Sequence, residues 1–268
     1  ESAIKLARKW GQVARGGAWE IVTTTDAFHG RTLATMSASG KATFAPLFEP
    51  KVQGFRKVPF GDADAIEAVL DDQVAAVLVE PIQGEAGVVV PPPGYLSRLR
   101  EITAARGVLL IFDEVQTGIG RTGKMFAFQH EDARPDVLTL GKGLGAGVPL
   151  AAMLCDARYA CFQPGDQGGT YSGNALTSAV GQAVMDAVRA PGFLEHVNAM
   201  SAKLRGVLEA LIPRGLVSNV RGQGLLMAAE LPVPTAGEVV RIAMAEGLLL
   251  NAPRPNLLRF MPALNVQA

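Results

Sequence analysis

Cysteine is nearly absent, with Cys155 and Cys161 the only two in 268 residues. So sparse a pair excludes a disulfide-stapled scaffold, and without a His partner or ligand spacing it excludes a zinc site. Both thiols are read as inert, no metal is expected, and the expected compartment is reducing: the cytoplasm. An excess of either charge is missing too, because 25 Lys plus Arg balance 25 Asp plus Glu. That leaves no basic surface for nucleic acid or for an anionic membrane. Long hydrophobic runs are also lacking: Val74 to Val79 ends at Glu80, far short of the ~20 residues a membrane-spanning helix needs. What is present, 49% hydrophobic and 19% charged residues, is the composition of a compact chain with a large core. A small molecule is the expected partner.

Short apolar runs alternate with helix-length amphipathic segments from residue 1 to about 190, the α/β pattern of a sheet covered on both faces. The strand candidates are Trp19 to Thr25, Val74 to Glu80, Val108 to Asp113, Asp136 to Leu140 and Leu150 to Cys155. Asp62 is placed to cap a helix over residues 63–70, and Gly107 to end one running from Tyr95 to Arg106. A helical pattern from Asn174 to Leu211 is broken at Pro191-Gly192. After Pro213 the texture becomes α+β, with strands expected at 217–220, 224–231, 248–250 and 257–260 and a helix at 236–246. A boundary near 205 therefore separates a large domain, 1–205, from a small one, 206–268.

Ligands of open α/β sheets sit beyond the carboxyl ends of the strands, so polar residues there carry weight. Two qualify: Asp113 closes the apolar run Val108-Leu109-Leu110-Ile111-Phe112, and Lys142 stands between Gly141 and Gly143 just after Leu140. A carboxylate that keeps a pyridine nitrogen protonated and a lysine that bonds an aldehyde are the two protein groups that pyridoxal phosphate chemistry needs.

Several linked motifs bear on this. They are Phe28-His29-Gly30-Arg31-Thr32, Val79-Glu80-Pro81-Ile82-Gln83-Gly84-Glu85-Ala86-Gly87-Val88, Phe112-Asp113-Glu114-Val115-Gln116-Thr117-Gly118, Leu140-Gly141-Lys142-Gly143 and Gly168-Gly169-Thr170-Tyr171. In this order and spacing the chain resembles the class III aminotransferases over nearly its whole length, and most closely their acetylornithine transaminase branch. The resemblance implies the fold type I architecture of the pyridoxal-phosphate transferases: a large domain with a mostly parallel seven-stranded sheet and a smaller C-terminal α+β domain. It further implies a homodimer with active sites at the interface, an amino donor, and 2-oxoglutarate as acceptor. N-acetylornithine is the expected donor, with ornithine, succinylornithine and 4-aminobutyrate as rivals. A non-catalytic α/β scaffold is the alternative from another class.

Residue by residue, the resemblance gives Lys142 the covalent link to the cofactor and the later proton shuttle, and Asp113 the ring nitrogen. Gln116 would bond the phenolic oxygen, Phe28 would stack on the ring, and Thr170 would reach the neighbouring subunit's cofactor phosphate. Arg31 would grip a substrate carboxylate, and Glu85 would neutralise Arg259 until a dicarboxylate needs that arginine. His29 is read as a packed turn residue. The family's phosphate-cradling loop would precede Glu1, where the chain opens directly on a helical pattern, so a preceding segment is expected.

Two other glycine patterns compete. Gly118 to Lys124 has phosphate-loop spacing, but Met125 stands where a Ser or Thr must bind magnesium. Gly141 to Ala146 fits a dinucleotide turn, but Val148-Pro149-Leu150-Ala151 reads as extended where that motif requires a helix.

Overall fold

Buried apolar runs build the sheet that positions the strand ends. In the computed structural model, which describes residues 1–268, the first elements are α1 (Ser2–Ala14), β1 (Glu20–Thr24), α2 (Leu33–Ala38), β2 (Phe55–Val58), α3 (Ala63–Ala68) and β3 (Val74–Val79). There follow α4 (Tyr95–Arg106), β4 (Leu109–Asp113), β5 (Val137–Leu140) and β6 (Ala152–Cys155). The six strands lie in the order β2-β1-β3-β4-β5-β6, all parallel except β6. The sheet is thus mostly parallel, and it counts six strands in this chain where the resemblance implies seven. β3 is buried along its whole length, as a central parallel strand covered on both faces must be.

Helix α1 covers one face because its apolar residues recur at helical spacing. Ala3, Ile4 and Ala7 pack with Ile21, Ala76, Leu109, Ile111 and Val137. Burying each large side chain of this cluster stabilises by roughly 1.5–3 kcal/mol. Asp62 caps α3 by accepting from the Ala65 N–H at 2.8 Å, and α4 ends on Gly107 in the left-handed conformation, φ 60°. Both capping residues are where the sequence places them.

The later elements are α5 (Ala175–Arg189), α6 (Phe193–Glu209), β7 (Asn219–Gln223), β8 (Leu226–Glu230), α7 (Ala236–Ala245), β9 (Asn251–Arg254) and β10 (Leu257–Phe260). Their four strands form an antiparallel sheet in the order β7-β8-β10-β9. Contacts divide the chain into two compact units. One joins Glu1–Pro81, Pro91–Gln116 and Phe128–Val184, and the other joins Ile82–Val90, Thr117–Ala127 and Met185–Ala268. The second unit therefore begins earlier than residue 205 and takes in two segments from the first half of the chain. No helix is long and apolar enough to cross a membrane.

Candidate functional site

Each unit holds one group of the expected residues. In the first, β4 and β5 run parallel in the register Ile111↔Val137, Phe112↔Leu138 and Asp113↔Thr139. Neighbouring strands therefore end together, one on Asp113 and the other on Leu140 followed by Gly141 and Lys142. Asp113 is buried, and its carboxylate is held from three directions. Oδ1 accepts from the Thr139 hydroxyl at 3.1 Å and from the Val115 N–H at 3.2 Å, and Oδ2 faces His29 Nδ1 at 2.9 Å. An ionised carboxylate offers about four acceptor positions, so capacity remains for one further donor.

His29 does more than fill a turn, the role its sequence context suggests. Its side chain is only 2% exposed, Nδ1 meets Asp113, and Nε2 is buried without a hydrogen-bond partner. The loop that carries it is pinned at two successive residues: the Phe28 N–H donates to Glu80 Oε2 at 2.9 Å, and the His29 N–H donates to Ser39 Oγ at 2.9 Å. A cavity of about 220 Å³ lies against His29, Asp113, Thr139, Leu78 and the first turn of α1. Sequence reasoning misses the histidine contact and the Glu80 anchor because each joins segments far apart in the chain.

Lys142 is exposed and opens a 3₁₀ turn, Lys142–Gly145, with φ 44°. A left-handed residue other than glycine is uncommon, and such residues cluster where the surrounding structure fixes a functional geometry. The turn is followed by Ala146 at φ 46° and not by an α-helix, so the dinucleotide pattern has no helix terminus to offer. Phe28 is half-buried, with the Phe44 ring 6.0 Å away, Lys41 Nζ 5.1 Å from its centroid and the Arg31 guanidinium carbon 6.0 Å from it. Arg31 is exposed, Gln116 is half-buried, and Thr170 is exposed in a turn closed by the Ser172 N–H on the Gly169 carbonyl at 3.0 Å. The structure thus joins Asp113 to His29 and Thr139, and sets Arg31 beside Phe28.

In the second unit, Glu85 and Arg259 form an ion pair, Oε1 to NH1 at 2.7 Å. Arg259 also donates to the Gly84 carbonyl at 3.0 Å and to Asn251 Oδ1 at 3.0 Å. The loop that presents Glu85 is clamped to the antiparallel sheet by two more arginines: Arg221 donates to the Gly87 carbonyl at 2.9 Å, and Arg254 to the Ala86 carbonyl at 2.7 Å. Beneath it Ile82 and Val88 pack on Leu226, Ala228 and Leu257. Gly87, φ 106°, lies so close to Leu257 that a Cβ would sit 2.5 Å from that side chain. The phosphate-loop pattern, Gly118 to Lys124, belongs to the same unit. Its Gly120, Arg121 and Gly123 N–H groups bond to the carbonyls of Met125, Gly118 and Gly120, so they are not available to cradle a phosphate.

The residues of the first unit fit pyridoxal phosphate. Asp113 keeps acceptor capacity at a cavity, an orphaned imidazole nitrogen lies beside it, an aromatic ring stands on the adjoining loop, and a lysine follows the neighbouring strand. Comparison with known proteins agrees. The family profile of the class III aminotransferases matches residues 1–268. Acetylornithine aminotransferase 2 of Bordetella pertussis is 52% identical over 269 residues, which cover 99% of this chain and 68% of that protein. Among solved structures, N-acetylornithine aminotransferase from Stenotrophomonas maltophilia superposes with a TM-score of 0.82 at 34% identity, covering 99% of this chain and 66% of that one. An ornithine aminotransferase from Toxoplasma gondii, described with partial occupancy of PLP at its active site, gives a TM-score of 0.92 at 33% identity over 99% of this chain and 65% of that one. The chain thus spans about two thirds of the length of these relatives. Strand ends, fold and sequence agree: the chain belongs to the class III aminotransferases, a family of pyridoxal-phosphate-dependent transaminases.

Proposed function

We propose that this chain carries the active-site residues of a homodimeric, cytoplasmic transaminase that moves the terminal amino group of N-acetylornithine to 2-oxoglutarate. The products would be N-acetylglutamate 5-semialdehyde and glutamate, a step in arginine biosynthesis. The observation that carries the reading is the Asp113↔Thr139 register, which ends two adjacent parallel strands on the carboxylate and just before the lysine. When bound, the pyridoxal group supplies an electron sink for the charge left as a substrate C–H bond is broken.

The chain's own residues do the rest. Asp113, held by His29, Thr139 and Val115, would offer its carboxylate to the ring nitrogen. Phe28 offers an aromatic face and Gln116 a side-chain amide for the phenolic oxygen. Lys142 Nζ would hold the cofactor and, freed by the donor amine, would take the proton from the substrate carbon that bears the amino group and deliver it to the cofactor carbon on the far side of that nitrogen. The planar fork of Arg31 binds a substrate carboxylate. Glu85 neutralises Arg259 while the donor occupies the pocket and yields it when the second carboxylate of 2-oxoglutarate arrives. Thr170, exposed beside the 82%-exposed Tyr171, suits the role of reaching a neighbouring subunit. The names of the Bordetella and Stenotrophomonas relatives support the acetylated donor.

The test is a donor panel on the full-length protein with 2-oxoglutarate as acceptor. N-acetylornithine should give the highest kcat/KM, ahead of ornithine, succinylornithine and 4-aminobutyrate, and Lys142→Ala should abolish turnover with all of them. A preference for ornithine would overturn the donor. Turnover retained by Lys142→Ala would overturn the lysine's role.

A further inference from the structure

At the amino ends of β4 and β5, away from Asp113 and Lys142, the first unit holds a cavity of about 400 Å³. With five residues in β4, roughly 15 Å of strand separates its two ends. The cavity therefore belongs to a different place in the fold from the strand ends described above. Trp10, Arg100, Arg134, Asp136, Arg158 and Tyr159 line it. Its volume lies in the range of small-molecule sites, ~300–1,000 Å³.

The charges do not cancel. Buried Asp136 accepts from the Leu110 N–H at 2.8 Å and pairs with Arg100 at 2.9 Å, which neutralises both partners. Arg158 meets Asp156 through two long contacts, Nε to Oδ1 and NH2 to Oδ2, both 3.4 Å, while its side chain is 67% exposed and its guanidinium stands 5.0 Å from the Tyr159 ring centroid. Arg134 is exposed and forms no ion pair, and its carbonyl accepts from Arg100. Three guanidinium groups thus face two carboxylates, Asp136 and Asp156. The apolar wall is built from two rings: Trp10 and Tyr159 meet edge to face, with centroids 5.8 Å apart and planes at 87°.

The unpaired fork of Arg134, with Arg158 held only by long contacts beside it, matches a carboxylate or phosphate, and the aromatic wall favours one borne on a flat apolar body. We propose that this cavity binds a small organic anion, a carboxylate borne on a flat apolar body. Arg134 and Arg158 take the carboxylate, and Trp10 and Tyr159 cover the body, where an aromatic pair contributes beyond its buried area. Inorganic phosphate satisfies the charge but leaves the wall bare, so it should bind more weakly.

Trp10 makes the site directly readable, since the only other tryptophan in the sequence is Trp19. In full-length, cofactor-loaded protein, benzoate should quench tryptophan fluorescence saturably, the quench should be lost in Trp10→Phe and kept in Trp19→Phe, and phosphate at equal concentration should quench less. Arg134→Ala and, separately, Arg158→Ala should each weaken benzoate binding at least tenfold, with unchanged melting curves because both side chains are exposed. Arg31→Ala should leave the benzoate curve where it was. Quenching that does not saturate, that ignores both arginine variants, or that disappears in Arg31→Ala would overturn the proposal.

Discussion

A single carboxylate shows how a residue's role depends on what holds it. Asp113 ends β4, yet its orientation is set by Thr139 on the next strand and by His29, 84 residues earlier in the chain. A hydrogen bond to a charged group is worth about 1.5–3 kcal/mol. At 1.36 kcal/mol per decade, His29→Ala should therefore lower cofactor affinity, kcat or both by about tenfold to a hundredfold in total. His29→Asn, which keeps a donor on the ring's side, should recover part of that loss. Titration of the cofactor together with steady-state rates would check this, and a His29→Ala enzyme unchanged in both would show the contact to be incidental. Asp113 and Lys142 are legible in the sequence because an apolar run and its polar end are local. The Glu85–Arg259 pairing is legible only through the family resemblance. The His29 contact is not legible at all, since nothing in the spacing of residues 28–32 says which strand end the ring meets.

At the scale of elements, the sequence is readable wherever burial imposes a pattern. β1, β3, β4, β5 and β6 lie within the apolar runs that suggest them, and α4 spans Tyr95–Arg106 as its flanking glycines indicate. β2 escapes because Phe55-Arg56-Lys57-Val58 looks polar. It is an edge strand whose Arg56 pairs with Asp71 at 2.7 Å, and whose Lys57 donates to the Ser37 carbonyl at 2.6 Å. Leu248 to Leu250 misleads in the opposite direction: apolar but largely exposed, with Leu249 83% accessible, it gives way to an edge strand at Asn251–Arg254 that contains Pro253. Glycine inside α1 shows packing overriding propensity. Replacing Gly11 with Ala gains roughly 1 kcal/mol of helix propensity. A Cβ there, however, would overlap the Ala18 carbonyl, 2.8 Å from its carbon, and would sit 3.1 Å from the Ala75 side chain. Overpacking costs roughly 1–3 kcal/mol, more when backbone must move. Gly11→Ala should therefore destabilise the protein, read as a lower urea midpoint at unchanged m-value. A midpoint that rises would mean that the side of α1 facing Ala18 is looser than these contacts imply.

Across the whole molecule, buried Tyr95 and the partly desolvated ammonium of Lys57, on an exposed residue of the edge strand β2, make stability depend on alkaline pH in opposite senses. Tyr95, 3% exposed at the start of α4 and edge to face with Phe60 at 5.6 Å, has its phenol pushed well above the usual value by burial, with the Asp62 charge adding to the effect. A folded-state pKa above the unfolded value of about 10 means that the folded protein keeps a proton the unfolded chain has lost. Stability from this group is therefore complete below pH ~10 and falls as pH rises beyond it. Lys57 has its ammonium pushed down by burial, so in its window, below the ordinary lysine value, the unfolded chain binds more protons and stability rises with pH. A pH scan of the parent alone would mix the two, whereas Tyr95→Phe removes only the first. Above pH ~10 the parent should lose about 1.4 kcal/mol per pH unit more than Tyr95→Phe does, read from urea midpoints at about pH 8, 10 and 11. The Lys57 contribution is common to both proteins and cancels from the difference. Curves that fall in parallel would show that the phenol is solvated in the folded state, and that the start of α4 is not closed over it.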